Sequence, residues 1–365
     1  MTRRPRVGFV LEQTLGHITH SANLRALLEP DPSIDAEFAP VDYDVNGWPS
    51  HVPGYGNWTV RAGIRSRRAI RRLRSGGPLD ALFIHTQVPA ILIPDVVSRI
   101  PTVVSLDATP IQYDELGAHY GHDTSNRHVE GLKWKANRSC FRRAALIVTW
   151  AEWTKAGLVD RYEVPADKVV VIPPGVDRER WAAPGARRAT DGPVRILFVG
   201  GDLARKGGNN LLDAVRRLRG EGLDIEVDLV TRDDSPAAPG VTVHHGLGPN
   251  SADLVALYRQ ADIFCLPTFG DCLPMVLSEA GAAGLPLVST DVGAISEIVK
   301  HEETGLLVPV GDDEALTAAL RRLATDAELR RRLGERAERL VHDEFDAAAN
   351  AKRLVDLLLA VSGDG

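Results

Sequence analysis

Two doubly wound α/β domains, joined near residues 173–193, are the fold class that this sequence predicts. Three observations predict it. The chain has 365 residues, enough for two domains at roughly 100–200 residues each. Short, continuous runs of β-branched and apolar residues recur along it, the pattern of parallel strands buried on both faces. Those runs alternate with helical patterns, the order in which strands and crossover helices of a parallel sheet follow one another.

Taken in order, Val7–Leu11 reads as a buried strand. A glycine turn at Leu15-Gly16-His17 follows it, then a helix through Leu24, Leu27 and Leu28. Ala81–Ile84, Thr102–Leu106 and Ala145–Thr149 are further short strands. Val169–Ile172 is another, stopped by Pro173-Pro174-Gly175; the polar, Pro184-containing stretch to Pro193 reads as a linker. The pattern then restarts. Arg195–Val199 is a strand, Gly200-Gly201 a turn, and Asn209 to Leu218 a helix, with strands again at Ile225–Val230, Val241–His244, Ile263–Leu266 and Leu287–Ser289. Asp312–Ala360 is helix-rich, with Glu/Arg spacing that supports exposed helical faces. The final segment, apolar on one face, must dock. The expected division is 1–172, 173–345 and a terminal helix at 346–365 that returns toward the amino-terminal domain. Ligands of such domains bind at the carboxyl ends of the strands, here in a cleft between the two sheets.

Composition narrows the function. The chain is 44% hydrophobic and 25% charged, with a formal net charge of -6, so overall charge does not suggest nucleic-acid binding. Cys140, Cys265 and Cys272 form no CxxC pair, which argues against a disulfide framework or zinc site and fits a reducing compartment. Val7–Leu11 is too short for a signal-peptide core, and no stretch reaches the ~20 apolar residues of a membrane helix. The expected location is the cytoplasm, at most peripheral at the inner membrane surface.

The stretch richest in chemistry is Thr268-Phe269-Gly270-Asp271-Cys272-Leu273-Pro274-Met275-Val276-Leu277-Ser278-Glu279-Ala280. A strand ends near Leu266, a loop carries Asp271, and a helix begins near Pro274, with proline in the first turn where its missing N–H costs nothing. The free N–H groups of that turn, including those of Met275 and Val276, suit an anion. Glu279 lies ~7–8 Å along the axis at about 1.5 Å per residue, the step from a diphosphate to its ribose. Taken alone, an acidic residue seven positions before a helical glutamate is equally consistent with ordinary surfaces.

The stretch runs on through Gly281-Ala282-Ala283-Gly284-Leu285-Pro286, Gly293, Glu297-Ile298-Val299 and Thr304-Gly305-Leu306-Leu307-Val308-Pro309. Upstream stand Val170-Val171-Ile172-Pro173-Pro174-Gly175-Val176-Asp177 and Gly200-Gly201-Asp202-Leu203-Ala204-Arg205-Lys206-Gly207. Residues 140–345 closely resemble the GT-B retaining glycosyltransferases of family 4 (glycosyl transferases group 1), and the amino-terminal domain resembles theirs in outline. The resemblance implies two Rossmann-like domains and a nucleotide-diphosphate sugar as co-substrate, UDP- or GDP-linked, with no cofactor or metal required. It implies that Glu279 binds ribose hydroxyls, Asp271 faces the sugar, and Arg205 and Lys206 hold the diphosphate. Gly16, Gly201, Gly246 and Leu273 join Met275 and Val276 as donor contacts. Lys206 and Glu279 are expected on a solvent-lined cleft. The physics agrees, since a departing nucleoside diphosphate gains charge that fixed cations stabilise. A Walker A loop is excluded, because Arg205 and Gly207 flank the lysine.

In the amino-terminal domain, Gly16 allows close backbone approach, and His17 and His20 flank the turn. His17 reads as a catalytic candidate facing the cleft or equally as a structural hydrogen-bonder, as does His85 at a strand end, whereas His20 reads more readily as structural. Where many relatives carry a histidine, this chain has Ser105-Leu106-Asp107; Asp107 either orients the acceptor or caps a turn. Pro274 replaces a glycine common in the family. Asp42-Tyr43-Asp44 matches a metal-binding DxD string but precedes a turn-like Asn46-Gly47, so no metal site is assigned. Arg61–Arg74, with Ile64, Ile70 and Leu73 as a narrow apolar edge, could contact anionic lipid; a helix docked on the sheet is the preferred reading. The expected acceptor is a small molecule, a glycan or a lipid-linked sugar, and no nucleic acid is expected as a partner. A nucleotide-sugar epimerase and a non-catalytic donor binder are the alternatives.

Overall fold

A computed structural model of the chain describes residues 3–14, 16–44, 57–117, 127–182, 192–234 and 238–363. Leu15, Asn46-Gly47 and residues 183–191 of the linker expected at 173–193 lie outside the described residues. The elements run β1 (Arg6–Glu12), α1 (His17–Leu28), β2 (Asp35–Val41), α2 (Trp58–Ser75), β3 (Ala81–His85), α3 (Gln87–Ile91), α4 (Pro94–Arg99), β4 (Thr102–Leu106), α5 (Pro110–Glu115), α6 (Arg127–Arg143), β5 (Leu146–Thr149), α7 (Glu152–Tyr162) and β6 (Val169–Val171). They continue with α8 (Arg178–Trp181), β7 (Val194–Val199), α9 (Gly208–Gly220), β8 (Ile225–Val230), β9 (Val241–His244), α10 (Ala252–Gln260), β10 (Ile263–Leu266), α11 (Met275–Ala282), β11 (Leu287–Thr290), β12 (Gly305–Val308), α12 (Asp313–Thr325), α13 (Ala327–Glu344) and α14 (Ala347–Gly363).

The strands form two six-stranded sheets, ordered β2-β1-β3-β4-β5-β6 and β12-β11-β10-β7-β8-β9. Every strand pair in both is parallel. The chain divides into two compact units. One comprises residues up to Asp114, the stretch ending at Pro174 and the segment from Ala348; the other is centred on Gly175–Ala347.

In the first unit, alternate residues of one strand point to opposite faces. Phe9, Phe83, Val103 and Val148 pack with Leu24 and Leu28 of α1 and with Leu354, Val355 and Leu358 of α14. Val10, Leu82, Ile84, Val104 and Ile147 pack the other way, against α2, α3, α4 and α6 through Ile70, Leu73, Ala90, Val97 and Phe141. Two of the three residues of the apolar edge in α2, Ile70 and Leu73, are therefore buried in the core, and Ile64 is 36% exposed. In the second unit α9 buries Leu211, Ala214, Val215 and Leu218, the three-to-four spacing of one helical face.

Each sheet reverses its direction of growth once: between β1 and β3 in the first, and between β7 and β10 in the second. Ligands of open parallel sheets bind outside the carboxyl ends of strands at such a reversal.

Candidate active site

At the second unit's reversal, the loop after β7 meets the loop after β10. Gly207, with φ +73°, caps α9, and a Cβ there would fall 2.0 Å from the Pro267 carbonyl oxygen. Only glycine lets the two loops approach so closely. The Phe269 N–H donates to the Arg205 carbonyl at 2.8 Å, and the Arg205 guanidinium donates to the Gly270 carbonyl at 2.8 Å. On the far side the Ala294 N–H donates to the Cys272 carbonyl at 2.8 Å. Gly293, with φ +60°, leaves room for the Asp271 carbonyl, which a Cβ would meet at 2.2 Å. The Asp271 loop is thus fixed from both sides.

Lys206 pairs directly with Asp271, its ammonium donating to the carboxylate. The sequence assigned the two residues to different parts of a ligand; here they form one ion pair, 14% and 12% exposed. Leu273 is buried, whereas Met275 and Val276, which open α11, are half-buried. Pro274 has extended backbone, φ -71° and ψ 118°, and is the N-cap rather than a first-turn residue. The first-turn N–H groups of α11 follow it. Gly201 follows β7 beside Arg232, and Gly246, with φ +73°, follows β9 with nothing within 4 Å of where its Cβ would be.

Glu279 corrects the sequence reading. It is 5% exposed rather than solvent-lined, because α11 is buried along most of its length. Its carboxylate accepts a hydrogen bond from the Tyr258 hydroxyl of α10 at 3.0 Å. Burial pushes its pKa up to about 7, although the Tyr258 bond opposes the shift. The same burial, with Glu279 beside it, raises the Tyr258 phenol well above its ordinary range. Sequence reasoning missed Tyr258, which lies 21 positions away from Glu279 with no motif linking them.

At the first unit's reversal the chemistry differs. His17, the first residue of α1, has Nδ1 3.2 Å from Glu12 Oε1 and Nε2 3.3 Å from Asp107 Oδ2. Burial alone would lower the His17 pKa, but Asp107 and Glu12 outweigh it and raise it to about 10. His17 is accordingly an imidazolium at neutral pH and donates from both nitrogens. Burial would raise Glu12, yet His17, Thr14 and Thr86 hold it at about 2. Glu12 also accepts from the Tyr43 hydroxyl at 2.8 Å and the Thr86 hydroxyl at 2.6 Å. The sequence reading assigned Glu12 no role; its place at the carboxyl end of a strand was the available signal.

Asp107 accepts from the Ala108 N–H at 3.0 Å as well as facing His17, so Asp107 and His17 form one unit. Gly16 is exposed, with φ -66°, and nothing lies within 4 Å of where its Cβ would be. His20 and His85 lie deeper. Burial and the His17 charge lower both, His20 to about 3, so both are neutral. His85 stacks on Trp150 at 5.2 Å and 3°, and His17 meets the His85 ring edge-on at 4.6 Å. The DxD string is taken up internally: Tyr43 serves Glu12, and Asp42 pairs with Arg65. Among the described residues no three His, Cys, Asp or Glu are grouped to hold a metal ion.

The two units are thus parallel-sheet α/β bodies of like topology, one with a lysine–aspartate pair ahead of a helix that holds a buried carboxylate, the other with a histidine clamped between two carboxylates. Comparison with known proteins agrees. Residues 25–180 match the glycosyltransferase family 4 model, and residues 193–326 match that of glycosyl transferases group 1. The D-inositol 3-phosphate glycosyltransferase of Salinispora tropica is 33% identical over 238 residues, 56% of this chain and 48% of that protein. The glycogen synthase of Mycobacterium tuberculosis is 27% identical over 324 residues, 84% of this chain and 74% of that protein. The chain spans about half the length of the first of these curated relatives. Sucrose-phosphate synthase from Thermosynechococcus elongatus shares the fold with TM-score 0.75 at 17% identity, covering 99% of this chain and 100% of that one. Anabaena HepE, solved with UDP, does so with TM-score 0.71 at 14% identity, covering 97% and 100%. The chain belongs to the GT-B glycosyltransferases of family 4, group 1.

Proposed function

We propose that the protein transfers a sugar from a nucleoside-diphosphate sugar to an acceptor hydroxyl, with retention at the anomeric carbon and no metal. The observation that carries this reading is the second unit's reversal point. There Arg205 and Lys206 hold the Gly270-Asp271 loop, the first turn of α11 follows it at Met275, and Glu279 lies one turn further along the helix, the order in which a diphosphate and its ribose follow one another. In this proposal Lys206 shares its charge between Asp271 and the departing diphosphate, Arg205 steadies the loop and the phosphate, and Glu279 takes the ribose hydroxyls. Gly201, Gly246, Leu273, Met275 and Val276 complete the donor contacts. Asp271 faces the sugar.

The acceptor is assigned to the first unit, near Gly16, His17 and Asp107. His17, protonated on both nitrogens, has no lone pair with which to take a proton. The acceptor proton therefore goes to the leaving phosphate oxygen as the new C1–O bond forms and the old one breaks on the same face. The protein supplies position and fixed charge. Peripheral contact with a membrane at α2 fits a lipid-linked acceptor; no helix among the described residues is long and apolar enough to cross one.

The test is a thermal-shift panel of UDP, GDP and ADP and their sugar conjugates without metal, followed by measurement of nucleotide release with candidate acceptors. A ligand that binds only the folded state raises the melting temperature by mass action. One responding nucleotide identifies the donor class. No response to any of them, with or without a divalent metal, would overturn the donor site.

A further inference from the structure

The chain enters the second unit at Gly175 and at once builds α8, Arg178–Trp181. So short a helix does not hold itself in water, and its neighbours hold it. Asp177 caps its start, accepting from the Arg180 N–H at 3.2 Å. Just before it the Val176 N–H donates to the Phe345 carbonyl at 2.8 Å, and the Ala347 N–H donates to the Val176 carbonyl at 3.2 Å. Arg178 pairs with Asp346 at 2.5 Å. At the other end the Arg259 guanidinium of α10 donates to the Arg180 carbonyl at 2.7 Å and to the Ala182 carbonyl at 2.9 Å. Carbonyls at a helix end lack partners within the helix, and a cation is the favoured group beside them.

The side chain that α8 buries is Trp181, 1% exposed. Its ring meets the Tyr258 ring edge-to-face, with centroids 4.9 Å apart at 79°. Tyr258 also stacks on Phe264 of β10 at 5.6 Å and 12°. A fully buried ring between two aromatic neighbours has little freedom to swing. Its hydroxyl therefore stays on the Glu279 carboxylate, 3.0 Å away. Helix α8 packs against α11, which carries Glu279, as well as against α10. A continuous set of contacts thus runs from the bridge between Val176 and Asp346, through α8 and Trp181, to Glu279.

We infer that Trp181 is a positioning residue of the donor site: by fixing the Tyr258 ring it holds the Glu279 carboxylate in the orientation that receives ribose hydroxyls. The inference rests on the assignment of Glu279 to the ribose. Trp181 touches no ligand and acts through Tyr258. A Tyr258 ring free to turn would lose its alignment with Glu279, and a hydrogen bond weakens steeply as its angle closes. A tryptophan that merely filled space would affect stability and would treat every nucleotide alike.

The experiment measures, by calorimetry without metal, the binding of UDP and GDP and of their 2′,3′-dideoxy counterparts. The counterparts keep base and diphosphate and lack the hydroxyls that Glu279 receives. Trp181→Leu should weaken binding of the preferred ribonucleotide about fivefold, the scale of one misplaced hydrogen bond, and leave its dideoxy counterpart unchanged. Trp181→Phe, which keeps an aromatic ring against Tyr258, should recover most of the loss. In a Tyr258→Phe background Trp181→Leu should cost little more, because the hydroxyl through which it acts is gone. Melting temperatures check that each variant folds. If Trp181→Leu does not, Arg259→Ala frees the end of α8 from an exposed position and should show the same selectivity. A wild type that binds both forms equally, or neither, would overturn the Glu279 assignment and this inference with it. A wild type that prefers ribose, with variants that lose both forms alike or lose neither, would overturn the inference alone. So would a full loss retained in the Tyr258→Phe background.

Discussion

The two reversal points hold similar ingredients and use them differently. In the first unit a cation lies between two carboxylates, and Glu12 is saturated by four side chains, Thr14, His17, Tyr43 and Thr86. In the second unit Lys206 has one carboxylate partner, and Glu279 is buried with a single hydrogen-bond partner shown, Tyr258. The contrast reaches the pKa values: Glu12 is held at about 2 and Glu279 is pushed up to about 7. Two buried carboxylates on like sheets thus differ by the donors around them. A saturated network fixes geometry, whereas an undersupplied carboxylate is poised to accept hydroxyl donors from a ligand.

The largest expected effect sharpens the second site. Lys206→Ala should cut donor turnover by about 10²-fold, the scale for losing one charge-stabilising donor, and Glu279→Ala by at least tenfold. Rates near wild type in both would remove the donor assignment. Next, His17→Ala should destabilise the protein by about 3–5 kcal/mol, because it leaves buried charge uncompensated. Denaturant unfolding measures this, and a loss under about 1 kcal/mol would mean that the clamp is not charged.

The pH dependence separates the sites by sign. The His17 pKa is raised to about 10, so its stabilisation is complete below about pH 6.5 and is lost as pH rises through 10. The Glu12 contribution is present above about pH 4.5 and is lost as pH falls toward 2. Glu279 works the other way for a carboxylate: its raised pKa favours the folded state below pH 4.5, an advantage lost by about pH 7. Glu279→Gln should therefore stabilise the ligand-free protein at pH 8 by up to about 3 kcal/mol, little at pH 5, while weakening donor binding. Equal melting shifts at both pH values would contradict the buried ionised carboxylate. The smallest effect is Tyr258→Phe, which should raise the donor KM a few-fold, the scale of one hydrogen bond at about 1 kcal/mol, with kcat nearly unchanged. A change in kcat alone would place Tyr258 elsewhere in the reaction.

Strands buried on both faces were legible because their apolar runs are continuous: β3, β4 and β10 lie where the sequence places them. Edge strand β2, Asp35-Ala-Glu-Phe-Ala-Pro-Val, has charges and a proline and was not legible as a strand. Neither was α6, whose polar, basic composition hides Cys140 and Phe141 on its inner side. At the candidate site the loops were legible because glycine, proline and charge cluster in short motifs. The partners Tyr258 and Trp150 were not, because each meets its neighbour only through the parallel-sheet topology, across 21 to more than 100 residues of chain, and Glu12, only five positions from His17, is set in no motif with it.

The last helix has a consequence for synthesis. Phe9 and Phe83 leave the ribosome about 270 residues or more before Leu354, Val355 and Leu358, which cover the same face of their sheet. The first unit therefore waits, with one apolar face incompletely covered, while the second is made. Arrival of α14 is the event that closes it, and a nascent chain stopped near Ala347 would present that face to chaperones.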